Sequence, residues 1–241
     1  MMTPYYADDF VTLYHGDCRE VLSGIGGVDV ILTDPPFFMP AQHYQSRVGW
    51  RRTWGDTSIL RIFWSVVVDE ALPALKRTGH MLTFCDDESY PVFFPVMYGH
   101  FDYMKSIVWD KGHVGLGRVW RSQHELVIAA RWDSSIFPND KPRSDVVRHR
   151  ATPPADRSHP VEKPTSLLRD LLEPTCPVGG LVLDPFAGSG TTLFAAKSMG
   201  ARAIGIEIEE RYCEIAAERC RQEVLDFGDA SLGAGARDGA A

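Results

Sequence analysis

Apolar residues recur along this chain in two rhythms, short β-branched runs and longer stretches of helical spacing, and their alternation predicts an α/β fold. Val11-Thr12-Leu13-Tyr14 reads as a short strand. The turn His15-Gly16-Asp17 follows, with Asp17 placed to cap a helix running to about Leu22. Gly24, Gly26 and Gly27 interrupt the chain before the buried strand Val28 to Thr33. Ile59 to Lys76 carries a helical period that Pro73 should kink or break, and Gly79 should end it ahead of the strand His80 to Cys85. Tyr90 to Met97, with Pro91 and Pro95, predicts a short or interrupted helix. Lys105 to Trp109 and Glu125 to Ala130 predict two strands joined through the loop Gly112 to Gly117. Thr165 to Leu172, with Thr165 as its cap, and Arg211 to Val224 predict amphipathic helices.

One stretch organises the rest. Leu181-Val182-Leu183 runs into Asp184-Pro185-Phe186-Ala187-Gly188-Ser189-Gly190-Thr191-Thr192, then a helical run, then Ala203-Ile204-Gly205-Ile206-Glu207. This is a βαβ unit whose first turn has glycines at alternate positions, where backbone can approach a ligand closely and a helix N-terminus favours an anion. Glu207, roughly 20 residues on, stands where an acid accepts hydrogen bonds from ribose hydroxyls. A dinucleotide fingerprint needs a third glycine where Leu193 stands, so NAD and FAD are disfavoured and another adenosine ligand is expected.

The second informative stretch is Asp34-Pro35-Pro36-Phe37, at the end of the strand Val28 to Thr33. Two prolines lock φ and remove two N–H donors, leaving the Asp34 carboxylate and the carbonyls around Pro35 as fixed acceptors. Such acceptors beside the ring of Phe37 or Phe38 suit an exocyclic amine on a flat base. By itself the tetrapeptide reads more readily as an ordinary turn. Phe38 to Ser58 has no clean period and holds Tyr44, Trp50 and Trp54 among arginines, as a functional or mobile loop would. Trp132 to Ser158 is polar, proline-rich and basic, and reads as an insertion.

Composition narrows the class. The 241 residues are 44% hydrophobic and 24% charged, as in a globular protein with a sizeable core. No run approaches the ~18 apolar residues of a membrane span and the first residues carry no signal-peptide core, so no membrane partner and a cytoplasmic location are expected. Five scattered cysteines suit a reducing compartment. Cys213 and Cys220 could share a helical face, but two thiols without a third ligand read as packing, and no metal is expected. The net charge of −7 argues against indiscriminate nucleic-acid binding but leaves room for a local basic cleft. Arg47, Arg51 and Arg52, and Arg143, Arg148 and Arg150, are the candidate clusters, each as readable as a solvated surface.

In this order, Asp34-Pro35-Pro36-Phe37 first, His159 to Pro164 between, and Asp184 to Gly190 last, the motifs resemble the permuted beta class of DNA amino-methyltransferases that use S-adenosylmethionine. The resemblance covers roughly residues 10 to 224. It implies a doubly wound, mostly parallel, Rossmann-like sheet with one antiparallel hairpin strand and a small target-recognition insertion. Residues 1–131 would form the catalytic half, 132–158 the insertion, 159–226 the cofactor-binding half, and 227–241 a disordered tail.

Carried over by position, the resemblance puts Asp34, Pro35, Pro36 and Phe37 at the reacting amine and Asp17 near the cofactor's adenine. Lys163 falls near its methionine carboxylate. Asp184, Phe186, Ala187, Gly188, Ser189, Gly190 and Thr191 line the methionine and ribose side, with Glu207 on the ribose hydroxyls. Trp109 to Lys111 and Ser122 to Glu125 look like family framework, to which the local pattern assigns no chemistry. Aspartate at the first motif position leans toward adenine N6 over cytosine N4. Cytosine C5 chemistry is disfavoured because no cysteine follows a proline. Double-stranded DNA is the implied partner. The resemblance leaves open a homodimer and a cognate restriction enzyme; the permuted order weighs against an RNA or protein amide substrate, and the intact motifs weigh against a relative that binds without catalysis.

Overall fold

The computed structural model describes residues 2–36, 57–115, 119–151 and 162–222. Among these residues, nine strands form one sheet in the order β1-β2-β9-β8-β3-β4-β6-β5-β7. In chain order these are β1 (Tyr6–Ala7), β2 (Val11–His15), β3 (Val28–Thr33), β4 (Leu75–Cys85), β5 (Tyr103–Asp110), β6 (His124–Arg131), β7 (Val146–Arg148), β8 (Leu181–Asp184) and β9 (Arg202–Glu207). The helices are α1 (Cys18–Val21), α2 (Thr57–Ala71), α3 (Tyr90–Tyr98), α4 (Thr165–Leu172), α5 (Thr191–Ser198) and α6 (Glu210–Arg221). β6 runs antiparallel to both of its neighbours and β1 is antiparallel to β2, while the other pairings are parallel.

The central strands are apolar on both faces because helices cover both. Val30, Leu32, Leu82 and Val182 face α4, α5 and α6. Ile31, Met81, Ile128 and Leu183 face α1, α2 and α3. On that second face the Trp64 ring of α2 stacks on Phe93 of α3, with centroids 4.7 Å apart. From β3 the chain crosses through α2 to β4 on one side, and from β8 it crosses through α5 to β9 on the other, over opposite faces. The sheet therefore reverses its winding between β3 and β8, and a crevice opens beyond their carboxyl ends.

Several boundaries differ from the sequence expectation. The expected helix Ile59 to Lys76 is α2, which begins at Thr57 and stops at Ala71. Pro73 sits in a 3-10 turn over Leu72–Ala74, and Leu75 and Lys76 already belong to β4. Gly79 is not a helix terminator but lies inside β4, at a bulge where the register with β3 jumps between Val28 and Val30. A Cβ there would stand 2.5 Å from the Asp29 carbonyl oxygen, so no larger residue could take this bend. The short helix expected over Tyr90 to Met97 is present as α3, which runs on through Pro95, held by the burial of Val92, Phe93 and Met97. Thr165 is the first residue of α4 rather than its cap, a position that falls to Pro164.

The stretch expected as an insertion contributes β7 to the sheet edge and buries Trp132, whose Nε1–H donates to the His100 carbonyl at 2.8 Å. Cys213 and Cys220 are buried and free, packing α6 against the sheet. The expected tail and most of the expected loop Phe38 to Ser58 lie outside the described residues; Thr57 and Ser58 open α2.

Candidate active site

Four segments meet at the carboxyl ends of β3, β8 and β9. Asp34 follows β3 directly, and its neighbour Thr33 donates a 2.9 Å hydrogen bond to Asp184 Oδ1 at the end of β8. The Phe186 N–H adds a 3.1 Å bond to the same oxygen, and Thr192 also donates to the carboxylate. Burial nevertheless outweighs these donors and pushes the Asp184 carboxyl up to about 6. Gly188 and Gly190 take left-handed φ values of 50° and 76°, which the turn between β8 and α5 requires. Their surroundings differ. A Cβ on Gly188 would meet nothing within 4 Å, so the turn faces open space there. On Gly190 it would come within 2.8 Å of the Ala216 Cβ, so helix packing itself demands a glycine here.

Glu207 ends β9 with both oxygens engaged by backbone, Oε2 by the Gly188 N–H and Oε1 by the Glu209 N–H, each at 2.8 Å. Burial raises its carboxyl above the ordinary range. The parallel pairing of His15 with Glu207 sets Asp17 on the adjoining turn. There Asp17 caps α1 through the Arg19 N–H at 3.0 Å and pairs with the Arg19 guanidinium, which holds its carboxyl below the usual range.

At the centre is a partly buried chain of alternating charges, with buried Lys163 between the two carboxylates. Lys163 Nζ lies 2.6 Å from Asp34 Oδ2 and 3.1 Å from Glu125 Oε2, and the other Glu125 oxygen meets Lys111 Nζ at 2.7 Å. Lys163 is 7% exposed, with its ammonium 5.1 Å from the centre of the Phe84 ring. Asp34 Oδ1 is sealed from solvent and accepts no hydrogen bond among the described residues. Leaving such an acceptor unpaired costs about 1–3 kcal/mol, which an incoming donor would recover. Desolvation pushes Asp34 up to about 6, against the pull of Lys163. Burial acts to lower Lys163, but the charges of Asp34 and Glu125 prevail and raise it. Burial likewise raises Glu125, and Lys163 and Lys111 together bring it below the ordinary value. A fixed carboxylate with one free oxygen, beside a glycine turn and a strand-end acid, can present an acceptor to an N–H while holding an adenosine-type ligand.

The comparisons agree with this geometry. The family model described as DNA methylase, for N6 and N4 methyltransferases, matches residues 28–218. This chain belongs to that family. A putative methylase of Escherichia coli K12, YubD, is 30% identical over 213 residues, spanning 85% of this chain and 87% of that protein. The DNA adenine methyltransferase YhdJ of the same organism is 26% identical over 251 residues, spanning 89% and 84%. In fold, the chain resembles TTHA0409 of Thermus thermophilus, a putative DNA modification methylase solved with S-adenosyl-L-methionine. The TM-score is 0.67 at 24% identity, over 89% of this chain and 96% of that one.

In this DNA methylase the expected site residues Asp34, Asp184, Gly188 and Glu207 gather at one end of the sheet. Lys163, expected beside a ligand carboxylate, lies between Asp34 and Glu125. Phe186 rests its ring on Phe63 of α2, with centroids 5.9 Å apart. The start of α5 carries more than free N–H groups. Arg219 of α6 reaches Ser189 Oγ at 3.3 Å and the Thr191 hydroxyl, and donates to Glu162 Oε1 at 2.9 Å. This ties the segment bearing Lys163 to the glycine turn.

Of the candidate DNA-binding arginines, Arg143 is held by Asp170 and Glu173, each at 2.8 Å. Arg148 donates from Nε to Asp110 at 2.7 Å with most of its side chain exposed, and Arg150 flanks Gly112. Phe37, Arg47, Arg51 and Arg52 fall outside the described residues. Sequence reasoning missed Lys111, Glu125, Glu162 and Arg219. The signal available for Lys111 and Glu125 was a charged pair at the mouth of the β5–β6 hairpin, which lies beyond β4 from the catalytic strand.

Proposed function

We propose that this DNA methyltransferase moves the methyl group of S-adenosyl-L-methionine to adenine N6 of a base flipped out of duplex DNA, at a specific site. The observation that carries the reading is the free, sealed Oδ1 of Asp34 at the point where the sheet reverses its winding. The residues present fit the cofactor: open space in front of Gly188, the acid Glu207 at the end of β9, and Asp17 on the neighbouring turn. Its sulfonium supplies an already activated methyl group.

The protein's own part is positioning and electrostatics. Adenine N6 is a weak nucleophile because its lone pair is delocalised into the ring. Asp34 and the Pro35 carbonyl each accept one N–H, which localises that lone pair and aims it along the line of displacement. The base cannot be reached inside a duplex, so it is extruded, and Phe37 offers the face on which it stacks. Residues 132–158, with Arg148 and Arg150, and the arginines Arg47, Arg51 and Arg52 supply contacts to DNA. A homodimer and a cognate restriction enzyme belong to the same reading.

Cytosine N4 is the second reading, since the family includes both amines and the acceptors suit either. Purified protein incubated with plasmid DNA and S-adenosyl-L-methionine, followed by mass spectrometry of the nucleosides, separates them. N6-methyladenine is expected; N4-methylcytosine would transfer the mechanism to the other base, and no methylated base would refute the enzyme reading. Asp34→Ala should abolish methyl transfer while retaining cofactor affinity, and near-normal turnover would remove Asp34 from its role.

A further inference from the structure

Resting on that reading, we propose that Arg219 is a positioning residue for methyl transfer: it closes a ring of side chains that keeps the glycine turn of the cofactor site in register with the Asp34–Lys163 pair. One nitrogen of its guanidinium, Nη1, donates to the Thr191 hydroxyl and, at 3.3 Å, to Ser189 Oγ, while Nη2 donates to Glu162 Oε1 at 2.9 Å. A hydroxyl that accepts from a guanidinium cannot donate back to it, because a guanidinium has no acceptor. The Thr191 proton is thereby directed at Ser189 Oγ, 3.5 Å away, and the Ser189 proton at Glu162 Oε2, 3.4 Å away. The ring returns to Arg219 through the other oxygen of the same carboxylate.

Distant stretches of chain meet in this ring. Ser189 lies between the left-handed Gly188 and Gly190, which give the turn little rigidity of their own, and Thr191 opens α5. Glu162 immediately precedes Lys163, whose ammonium holds Asp34 Oδ2 at 2.6 Å. Arg219 sits on α6 one turn beyond Ala216, the residue that packs against Gly190. In-line displacement needs the methyl donor and the accepting amine at a fixed separation. The glycine turn serves the first and Asp34 the second, and the ring spans the gap between them.

Holding α6 in place does not account for Arg219. That helix already buries Cys213, Ala216, Ala217 and Cys220, and Lys197 Nζ on α5 donates to its Cys220 carbonyl at 2.6 Å. Arg219 and Glu162 form an ion pair whose side chains are only 16% and 9% exposed. Such a pair contributes little net stability compared with apolar residues of similar volume. What an apolar residue could not supply is a planar fork that donates to hydroxyls on one side and to a carboxylate on the other.

The test is single-turnover methylation of plasmid DNA at saturating S-adenosyl-L-methionine, with cofactor affinity by calorimetry and Tm by circular dichroism on the same samples. Arg219→Lys keeps a cation for Glu162 but has no fork, so the ring opens. The expected result is a rate loss on the order of 10- to 100-fold at saturating cofactor, the scale of a misplacement of about 1 Å. Cofactor affinity should weaken by roughly 10-fold in the same variant. Arg219→Met combined with Glu162→Met removes the ion pair as a unit, so Tm should stay near the parent's while the rate loss persists. A purely structural Arg219 would give the opposite pattern, a rate that follows Tm and recovers in the double variant. Either variant turning over at the parent's rate with saturating cofactor overturns the proposal. Failure of both to fold overturns it as well, since the ring would then be a requirement of the fold. If the parent protein itself methylates no base, the enzyme reading fails instead.

Discussion

Glu207→Gln keeps the shape of the strand-end acid and changes only its chemistry. The carboxylate accepts from two backbone N–H groups, those of Gly188 and Glu209, at 2.8 Å each. A carboxamide has one acceptor oxygen, so one of these N–H groups must face an NH₂ group. Orphaning a buried donor costs about 1–3 kcal/mol, and the surviving bond falls from the charged range of about 1.5–3 kcal/mol to the neutral range of about 0.5–1.5 kcal/mol. Against this, burial disfavours the charged form of Glu207, and a neutral amide is relieved of that desolvation. The balance is a loss of about 1–3 kcal/mol. For a chain of this size, roughly 2–4 °C per kcal/mol gives a drop in Tm of about 2–12 °C, read by circular dichroism without cofactor. Because the Gly188 N–H is one of the two donors, the glycine turn should loosen, and S-adenosyl-L-methionine affinity measured by calorimetry should fall with it. An unchanged Tm together with unchanged affinity would refute the assignment of both hydrogen bonds and of the turn.

The two glycines of that turn should separate cleanly under substitution. Gly188→Ala meets open space, so its cost to stability is the left-handed φ alone, about 1–2 kcal/mol, while cofactor affinity by calorimetry should drop well below the parent's. Gly190→Ala adds a collision with Ala216 to the same backbone strain, so urea denaturation should show the larger loss of stability; equal losses would contradict the packing described. Asp184 gives a pH test. Its folded carboxyl is raised from 3.8 to about 6, so its contribution favours the fold below pH 3.8 and is lost as pH rises through about 6. Asp184→Asn should therefore gain in Tm relative to the parent between pH 4 and pH 7, and a difference that does not vary with pH would exclude that origin.

Local pattern sufficed where one physical cause acts over a few residues. The apolar runs Val28 to Thr33 and Leu181 to Leu183 form strands because helices on both faces reward continuous burial, and Asp34 and Glu207 follow strand ends where ligand crevices form. The left-handed glycines of the turn after Asp184 were legible for the same reason, since the turn and helix chemistry is written into neighbouring residues. Where long-range contacts compete with local preference, the pattern misled. Gly79 looked like a helix stop but is a bulge against Asp29, whereas the short helix expected at Tyr90 to Met97 is there as α3.

The charges around Asp34 illustrate the limit most clearly. Lys111, Glu125 and Lys163 are far from Asp34 along the chain, and two of them sit in stretches that read as framework. The β4–β6–β5 pairing and the segment before α4 bring them together, and only burial converts those surface-type residues into a counter-ion chain. The sequence by itself determined the strand ends, the glycine turn and the order of the motifs, because these rest on local stereochemistry. Tertiary structure alone decided which charges share a dry crevice, because that depends on which strands become neighbours and on how much water their packing excludes.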